Sequence, residues 1–144
     1  MIRLQTAAIR VDKLIESVGS EADGAVAVFV GTVRDHNRGR RVLFLEYETY
    51  PEMAESEMRR LVEQAGSRFA VSSVAIVHRT GRLEIGEISV AVAVAAAHRD
   101  QALEACRFLI DTFKHTVPIW KREVFEGGEV WIEGAGETPV DRQA

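Results

Sequence analysis

The chain has 144 residues, 47% of them hydrophobic, which suits one compact domain with its own apolar core. Eighteen Lys and Arg residues against 22 Asp and Glu give a formal net charge of -4, which disfavours nucleic acid and anionic membranes as partners. A single cysteine, Cys106, excludes an internal disulfide framework and paired-cysteine metal motifs. The longest apolar run is too short to span a bilayer, so we expect a cytoplasmic protein.

The first elements in chain order are a short helix and two strands. Leu14, Ile15 and Val18 recur at helical spacing, which predicts a helix over "VDKLIESV". The nearly all-apolar "GAVAVFVGTVR" is typical of a central strand that is buried on both faces. Asp, Asn and Gly in "DHNRGRR" favour a turn, and "VLFLEYETY" follows as a strand. Residues 25–49 are therefore predicted to form one long hairpin.

The middle of the chain predicts two longer helices and two further strands. Pro51 marks the start of a helix over "YPEMAESEMRRLVEQAGSRF". Its apolar face consists of Ala54, Met58, Leu61, Val62, Ala65 and Phe69. The segments "VSSVAIVHRTG" and "EISVAVAVAAA" are strand-like, and the second alternates large residues with Ser and Ala, so a helix can pack closely on its small face. "HRDQALEACRFLIDTFKH" predicts another helix, with Lys114 in its last turn.

The last third of the chain completes a single α+β domain over residues 1–144. Pro118 ends the second long helix, and "IWKREVF" and "EVWIE" are predicted as short strands around a Gly127-Gly128 turn. We expect residues 134–144 to form a flexible tail. The whole predicts a mixed or mainly antiparallel sheet that is covered by two long helices.

Basic side chains follow several of these elements. They are Arg34, His98, Arg99, Lys114, Lys121 and Arg122. A solvated rim is the simpler interpretation of any one of them, and Lys114 alone would merely complement a helix dipole. Because four separate clusters each occur where a buried element ends, they could instead converge on one pocket that binds an anion.

No common catalytic or metal-binding motif is present. The four histidines lack the short spacings of a local metal site, and Cys106 lies on an apolar helix face, which predicts a buried thiol and no metal. Arg38, Arg40 and Arg41 are interpreted as a solvated loop, since no aromatic residues are interleaved with them as stacking platforms for RNA.

Six segments occur in the order and at the spacing of a known family. They are "FVGTVRDHNRGR", "LEYETYPEMA", "VHRTGRLEIGE", "AAHRD", "EACRFLID" and "PIWKRE". Over residues 3–133 the sequence resembles the large, catalytic subunit of molybdopterin synthase. This resemblance implies an α/β hammerhead-type fold with two long helices and a small antiparallel β subdomain.

The resemblance also implies an activity and partners. The expected enzyme is a sulfur transferase of molybdenum cofactor biosynthesis that converts cyclic pyranopterin monophosphate to molybdopterin by forming a dithiolene. The sulfur would come from a small ubiquitin-like subunit whose C-terminal Gly-Gly carries a thiocarboxylate and enters a pocket on the large subunit. Two large subunits would form a homodimer at the centre of a heterotetramer. We expect no cofactor and no metal.

The substrate-binding residues implied by the resemblance include all the basic residues above. They are Thr32, Val33, Arg34, His98, Arg99, Lys114, Lys121, Arg122 and Glu123. We expect Arg34 and Arg99 to bind phosphate oxygens as bidentate forks, and His98 to orient the pterin or a water. Lys114 and Lys121 are the predicted catalytic residues, stabilising a developing oxyanion or a leaving oxygen.

Two further expectations concern this pocket. A lysine crowded by Arg99 and Arg122 should have a depressed pKa, which would make it a better proton shuttle at neutral pH. Ile110 stands where some family members have methionine.

The alternative function is a non-catalytic module that binds a phosphorylated small molecule or a partner's C-terminal tail through the same pocket.

Overall fold

Three helices and ten strands make up the described part of the chain, which is residues 1–133 and 139–140 of a computed structural model. In chain order they are β1 Ile2–Gln5, α1 Val11–Ser17, β2 Ala25–Thr32, β3 His36–Asn37, β4 Arg40–Thr49, α2 Pro51–Arg68, β5 Ser73–Arg79, β6 Gly81–Glu84, β7 Ile88–Ala96, α3 Arg99–Thr116, β8 Ile119–Phe125, β9 Gly128–Glu133 and β10 Pro139–Val140. The predicted α+β class is confirmed. The tail predicted for residues 134–144 lies outside the described residues except for β10.

Four strands form the first sheet in the order β1-β5-β7-β2. β1 is parallel to β5, and the other pairs are antiparallel. The prediction that "GAVAVFVGTVR" is a central strand was wrong, because among the described strands β2 pairs with β7 alone and lies at the edge of the sheet. Val26, Val28 and Val30 of β2 are 42%, 37% and 37% exposed. An apolar run therefore marks an uncovered edge here instead of a fully buried strand.

The long hairpin predicted for residues 25–49 was also wrong. After β2 the chain enters a second sheet, in the order β10-β9-β8-β4-β3, in which β6 also pairs with β4. The turn predicted for "DHNRGRR" is confirmed, but this turn connects β3 and β4 in a much shorter hairpin. Arg38 and Gly39 at its tip have φ angles of 52° and 76°. Local turn signals do not reveal which distant strand will supply the long partner of β4.

Side-chain alternation along β7 divides the core of the first sheet. Val90, Val92 and Val94 pack with the buried faces of α2 and α3. The small residues Ala91, Ala93 and Ala95 face the other side, where Leu14 of α1 and its neighbours cover them. A helix therefore packs on the small face, as predicted, and that helix is the short α1.

The two sheets meet where α3 ends and β8 begins. Val33, Val42, Leu45 and Leu83 form a small separate core in the second sheet, which is the predicted antiparallel subdomain. Val117, between α3 and β8, belongs to the larger core of the first sheet. This junction brings the last turn of α3 close to β4 and β8.

Candidate active site

Two adjoining cavities lie at the junction of the sheets. The first, which we call the slot, has a volume of about 60 Å³ and is lined by Tyr47, His78, Ser89, Val90, Ile110, Phe113, Lys114, Val117, Ile119 and Lys121. The second, the basin, has a volume of about 220 Å³ and is lined by Gly31, Thr32, Arg34, His36, Asn37, Val42, Leu45, Tyr47, Ser89, Lys114, Lys121 and Glu123. Lys114 and Lys121 line both cavities, so both lysines lie at the boundary between them.

Lys121 lies in β8 and is largely shielded from solvent. Burial lowers the pKa of its ammonium group, and the cations Lys114, Arg34 and Arg38 lower that pKa further, while Glu123 opposes the shift. The expected depression of a lysine pKa is therefore confirmed, but its main cause is desolvation, and neither Arg99 nor Arg122 contributes. Lys114 reaches the same place from the exposed last turn of α3.

Glu123 is a buried carboxylate beside Lys121 and is only 1% exposed. Its Oε2 accepts a hydrogen bond of 3.0 Å from Asn37 Nδ2 in β3. Its Oε1 lies 3.7 Å from Arg40 Nη2. Within residues 1–133, neither Oε1 nor the Nε and Nη2 atoms of Arg40 have a hydrogen-bond partner. Glu123 thus ties the β3-β4 hairpin to the basin wall and supplies the negative charge next to Lys121.

The bulge at the end of β2 is followed by three predicted substrate-binding residues, Thr32, Val33 and Arg34, whose side chains point in different directions. Thr32 and Arg34 line the basin. Val33 is buried in the core of the second sheet, and its backbone groups bond to Glu87 and Gly86. Of this expected substrate-binding trio, two residues therefore present side chains to the cavity, and Val33 supports the wall from behind.

Arg122 is next to Lys121 but faces away from both cavities. Because successive strand residues point to opposite faces, only one of the two can line the site. Arg122 donates to Glu46 at 2.6 Å and to Glu129 at 2.7 Å, and these two carboxylates raise its pKa. These two ion pairs link β8 to β4 and to β9.

His98 and Arg99 lie at the opposite end of α3 from Lys114. Fifteen helical positions separate Arg99 from Lys114, a distance of about 22 Å at 1.5 Å per residue. Both residues are exposed, and neither lines the slot or the basin. One chain by itself does not bring all the expected substrate-binding residues together.

Sequence reasoning missed Tyr47 and His78, which form one wall of the slot. His78 is 4% exposed, stacks on Phe113 with ring centroids 5.6 Å apart, and meets Tyr47 edge-on at 4.9 Å. Burial lowers the pKa of His78 to about 4, and burial raises the pKa of Tyr47. A histidine inside the apolar strand "SVAIVHR" was the available signal, but of the four histidines only His98 was given a place in the pocket, and His78 was considered only as a metal ligand.

Two larger cavities within the described residues, of about 300 and 740 Å³, are lined by none of the predicted site residues. Cys106 is a buried free thiol, as predicted, and burial raises its pKa. Within residues 1–133 and 139–140, no group of three or more His, Cys, Asp or Glu side chains is arranged to hold a metal ion. None of the helices in those ranges is both long and apolar enough to cross a membrane.

One family and several known proteins resemble this chain. Residues 4–116 match the MoaE protein family. The molybdopterin synthase catalytic subunit of Pyrococcus abyssi is 46% identical over 132 residues, which are 92% of this chain and 89% of that protein. The X-ray structure of molybdopterin synthase from Staphylococcus aureus has a TM-score of 0.86 at 36% identity and covers 89% of this chain and 93% of that one.

A complex of subunits 1 and 2 of molybdopterin-converting factor from Helicobacter pylori 26695 also matches. Its TM-score is 0.73 at 25% identity, over 89% of this chain and 87% of that chain. Taken with the family match over residues 4–116, these likenesses extend across both sheets and the junction between them. The chain therefore belongs to the MoaE family of molybdopterin synthase catalytic subunits.

Proposed function

We propose that this chain forms the dithiolene of molybdopterin on cyclic pyranopterin monophosphate, with sulfur from the thiocarboxylate of a small ubiquitin-like subunit. The observation that carries this proposal is the meeting of two cavities of different size at Lys114 and Lys121. A reaction between a macromolecular tail and a small molecule needs two entrances and one shared reacting centre. We expect this chemistry in the cytoplasm and without a cofactor.

The slot suits the partner's C-terminal tail. Its volume of about 60 Å³ is well below the roughly 150 Å³ of a cavity that holds benzene, so a pterin ring does not fit there. Its apolar walls, which include Ile110 and Phe113, suit a glycine tail that has no side chains. The lysines at its inner boundary would meet the terminal thiocarboxylate with positive charge.

The basin suits the phosphorylated pterin. It is larger, at about 220 Å³, and is lined by Arg34 and Thr32 in addition to the two lysines. A guanidinium can hold two phosphate oxygens in a planar fork, whereas a hydroxyl can donate one further hydrogen bond. A substrate bound here would have its reacting carbons next to the thiocarboxylate in the slot.

Lys114 and Lys121 are then the catalytic residues. A thiocarboxylate that transfers its sulfur develops negative charge on oxygen, and opening of a cyclic phosphate leaves a charged oxygen. An ammonium group can stabilise either oxygen or supply its proton. Because burial lowers the Lys121 pKa, its proton is held less tightly, which suits Lys121 as the donor.

A second copy of the chain would complete the site with His98 and Arg99. The edge strand β2 runs from Ala25, which pairs with Ala96 two residues before His98, to Thr32 at the basin. Antiparallel pairing of two β2 edges about a twofold axis would place His98 and Arg99 of each copy near the other copy's basin. The seven steps from Ala25 to Thr32 in β2 span about 23 Å at 3.3 Å each, which matches the separation of about 22 Å along α3.

The small subunit would bind at the outer end of each slot and give a heterotetramer around the homodimer. In support, one structural relative is a complex of subunits 1 and 2 of molybdopterin-converting factor. The alternative, a non-catalytic module that binds a phosphorylated molecule or a partner's tail, would use the same cavities without turnover.

Charge-conserving lysine variants test this proposal. We expect Lys114→Arg and Lys121→Arg each to lose most single-turnover product formation, although both keep a positive charge and fold normally. A guanidinium is planar, bulkier and effectively never deprotonated, so it cannot replace an ammonium that donates a proton in a narrow site.

The assay mixes each variant with saturating thiocarboxylated small subunit and cyclic pterin, and detects the dithiolene by mass spectrometry. Thermal melts verify folding, and Lys13→Arg on the exposed surface of α1 is the matched control. Near-normal rates in both active-site variants would remove the catalytic assignment. Tail binding without any turnover by the unmodified chain would favour the non-catalytic alternative.

A further inference from the structure

We propose that Nε2 of His78 accepts a hydrogen bond from a main-chain N–H of the partner's C-terminal tail, and so positions that tail in the slot. This inference rests on the proposed function, which assigns the slot to the tail. The proposed reaction gives His78 no role. Its position in the wall of the slot raises the question of what a buried imidazole does there.

The hydrogen bonds of His78 define its tautomer. Nδ1 lies 2.7 Å from the carbonyl oxygen of Arg79. A carbonyl can only accept, so Nδ1 carries the proton and donates it. In the neutral ring Nε2 then has a free lone pair, and within residues 1–133 no group donates to it. The imidazole therefore brings one unused acceptor to a cavity in which Lys114 and Lys121 are the charged groups and Ile110 and Phe113 are among the apolar ones.

Neighbouring residues hold this ring in one orientation. Phe113 stacks on its face with an interplanar angle of 10°, and Tyr47 meets it at 75°. Burial and the positive charge of Lys114 both lower the pKa of His78, to about 4, so the ring stays neutral at physiological pH. A neutral ring keeps the Nε2 lone pair available even though a cation is close by.

An inserted tail needs such an acceptor. A peptide N–H that enters a cavity loses its bonds to water, and leaving it unpaired costs free energy. Lys114 and Lys121 are donors only, so they can bind the terminal carboxylate or thiocarboxylate but no N–H. Ser89 already donates to the carbonyl of Gly31 at 3.3 Å and hydrogen-bonds with Tyr47. The hydroxyls of Ser89 and Tyr47 are thus bonded to each other, whereas Nε2 of His78 has no donor among the described residues, so we assign the N–H to His78 and the terminal anion to the two lysines.

Amide-to-ester replacement in the tail tests the contact directly. The probe is a semisynthetic ubiquitin-like sulfur-carrier subunit that ends in a Gly-Gly carboxylate, with an ester oxygen in place of the N–H at one of its last two peptide links in turn. For the unmodified chain, we expect the ester at one of these links to raise Kd about fivefold or more, the scale of one hydrogen bond. In His78→Phe, the same ester should change Kd less than about twofold, because its N–H has no acceptor to lose.

Two comparisons make the result specific to His78. His115→Phe makes the same substitution at an exposed position of α3 that lines neither cavity, and it should keep the full ester effect. Without any substitution, the ¹⁵N resonance of His78 Nε2 should shift when the amide tail binds and should shift less with the ester tail. The NMR measurement holds even if His78→Phe fails to fold.

The outcomes separate this inference from the proposed function. The His78 contact alone would be overturned if, at both links, the ester changed Kd equally in the unmodified chain and in His78→Phe. It would also be overturned if the Nε2 resonance did not shift when the tail binds. Failure of the unmodified subunit to bind would overturn the assignment of the slot to the tail as well. Coupling between His78 and one particular N–H would support both.

Discussion

Replacing Glu123 with glutamine tests how strongly the basin wall depends on one buried charge. Glu123→Gln keeps the shape of the side chain but turns one of its two acceptors into a donor. If the amide oxygen keeps the bond from Asn37, the new NH2 group must face the Arg40 guanidinium, which also only donates. The variant therefore loses the attraction to Arg40 and gains no new partner.

The cost can be worked from these contacts. The bond from Asn37 becomes one between neutral groups, which contributes about 0.5 to 1.5 kcal/mol against about 1.5 to 3 kcal/mol for a bond to a charged group, and the 3.7 Å ion pair with Arg40 is lost. Part of this loss is offset because a neutral amide is easier to bury than a carboxylate. We expect a net loss of about 1 to 2 kcal/mol in the free energy of unfolding. For a domain of this size that corresponds to a decrease in Tm of roughly 3 to 8 °C.

A second carboxylate in the same region provides a matched control. Glu126 lies 3.6 Å from Arg41, almost the separation of the Glu123–Arg40 pair, but its side chain is 64% exposed and that of Arg41 is 73% exposed. Glu126→Gln should therefore cost less than about 0.5 kcal/mol. Both variants would be measured by thermal and urea unfolding at pH 7. Equal losses in the two variants would refute the idea that burial makes the Glu123 charge important.

The same variant also has a predicted kinetic consequence. Glu123 raises the pKa of Lys121 against the effect of burial, so Glu123→Gln should lower that pKa further. If protonated Lys121 is the acid, the alkaline limb of the pH profile of kcat/KM should move to lower pH. Glu126→Gln should leave the limb where it is. A limb that is unchanged in Glu123→Gln would separate Lys121 from the proton transfer.

Three further predictions follow from the geometry. Arg34→Ala should weaken binding of the phosphorylated substrate by about 1 to 3 kcal/mol in calorimetry, and an unchanged Kd would exclude a phosphate contact. Burial lowers the pKa of His78 to about 4, so between about pH 6.5 and pH 4 the unfolded state binds a proton that the folded state does not. The free energy of unfolding should therefore fall by about 2 to 3 kcal/mol between pH 7 and pH 4.5. Urea unfolding of His78→Phe should show a smaller loss over that interval, and an equal loss would contradict the buried neutral state. Val28→Lys at the β2 edge should shift a dimer to monomers in light scattering. Ile15→Lys, at a similarly exposed position on α1, should leave the dimer intact. A dimer that persists in Val28→Lys would exclude the β2 edge as the interface.

Local periodicity was sufficient to predict the helices and the two faces of one strand. The apolar face predicted for α2 is the face that the structure buries, with Ala54, Met58, Leu61 and Ala65 inside. The alternation of β7 correctly predicted a small face that accepts a helix. These signals work because the helical period and the strand period are properties of neighbouring residues, and the six family segments that carried the confirmed resemblance are likewise local.

Strand pairing and side-chain direction were decided only by tertiary structure. The sequence of β2 predicts a strand, but its place at an edge depends on whether a distant segment pairs with it, and none of the described residues does so on that side. The strand period already implies that Lys121 and Arg122 point in opposite directions, but only the position of the second sheet determines which one faces the cavity. The separation of Arg99 from Lys114 follows from helix length, whereas the gathering of Lys114, Lys121 and Arg34 around one space depends on contacts between residues far apart in the chain. Such contacts form through burial and hydrogen bonding across the whole fold, and no local pattern encodes them.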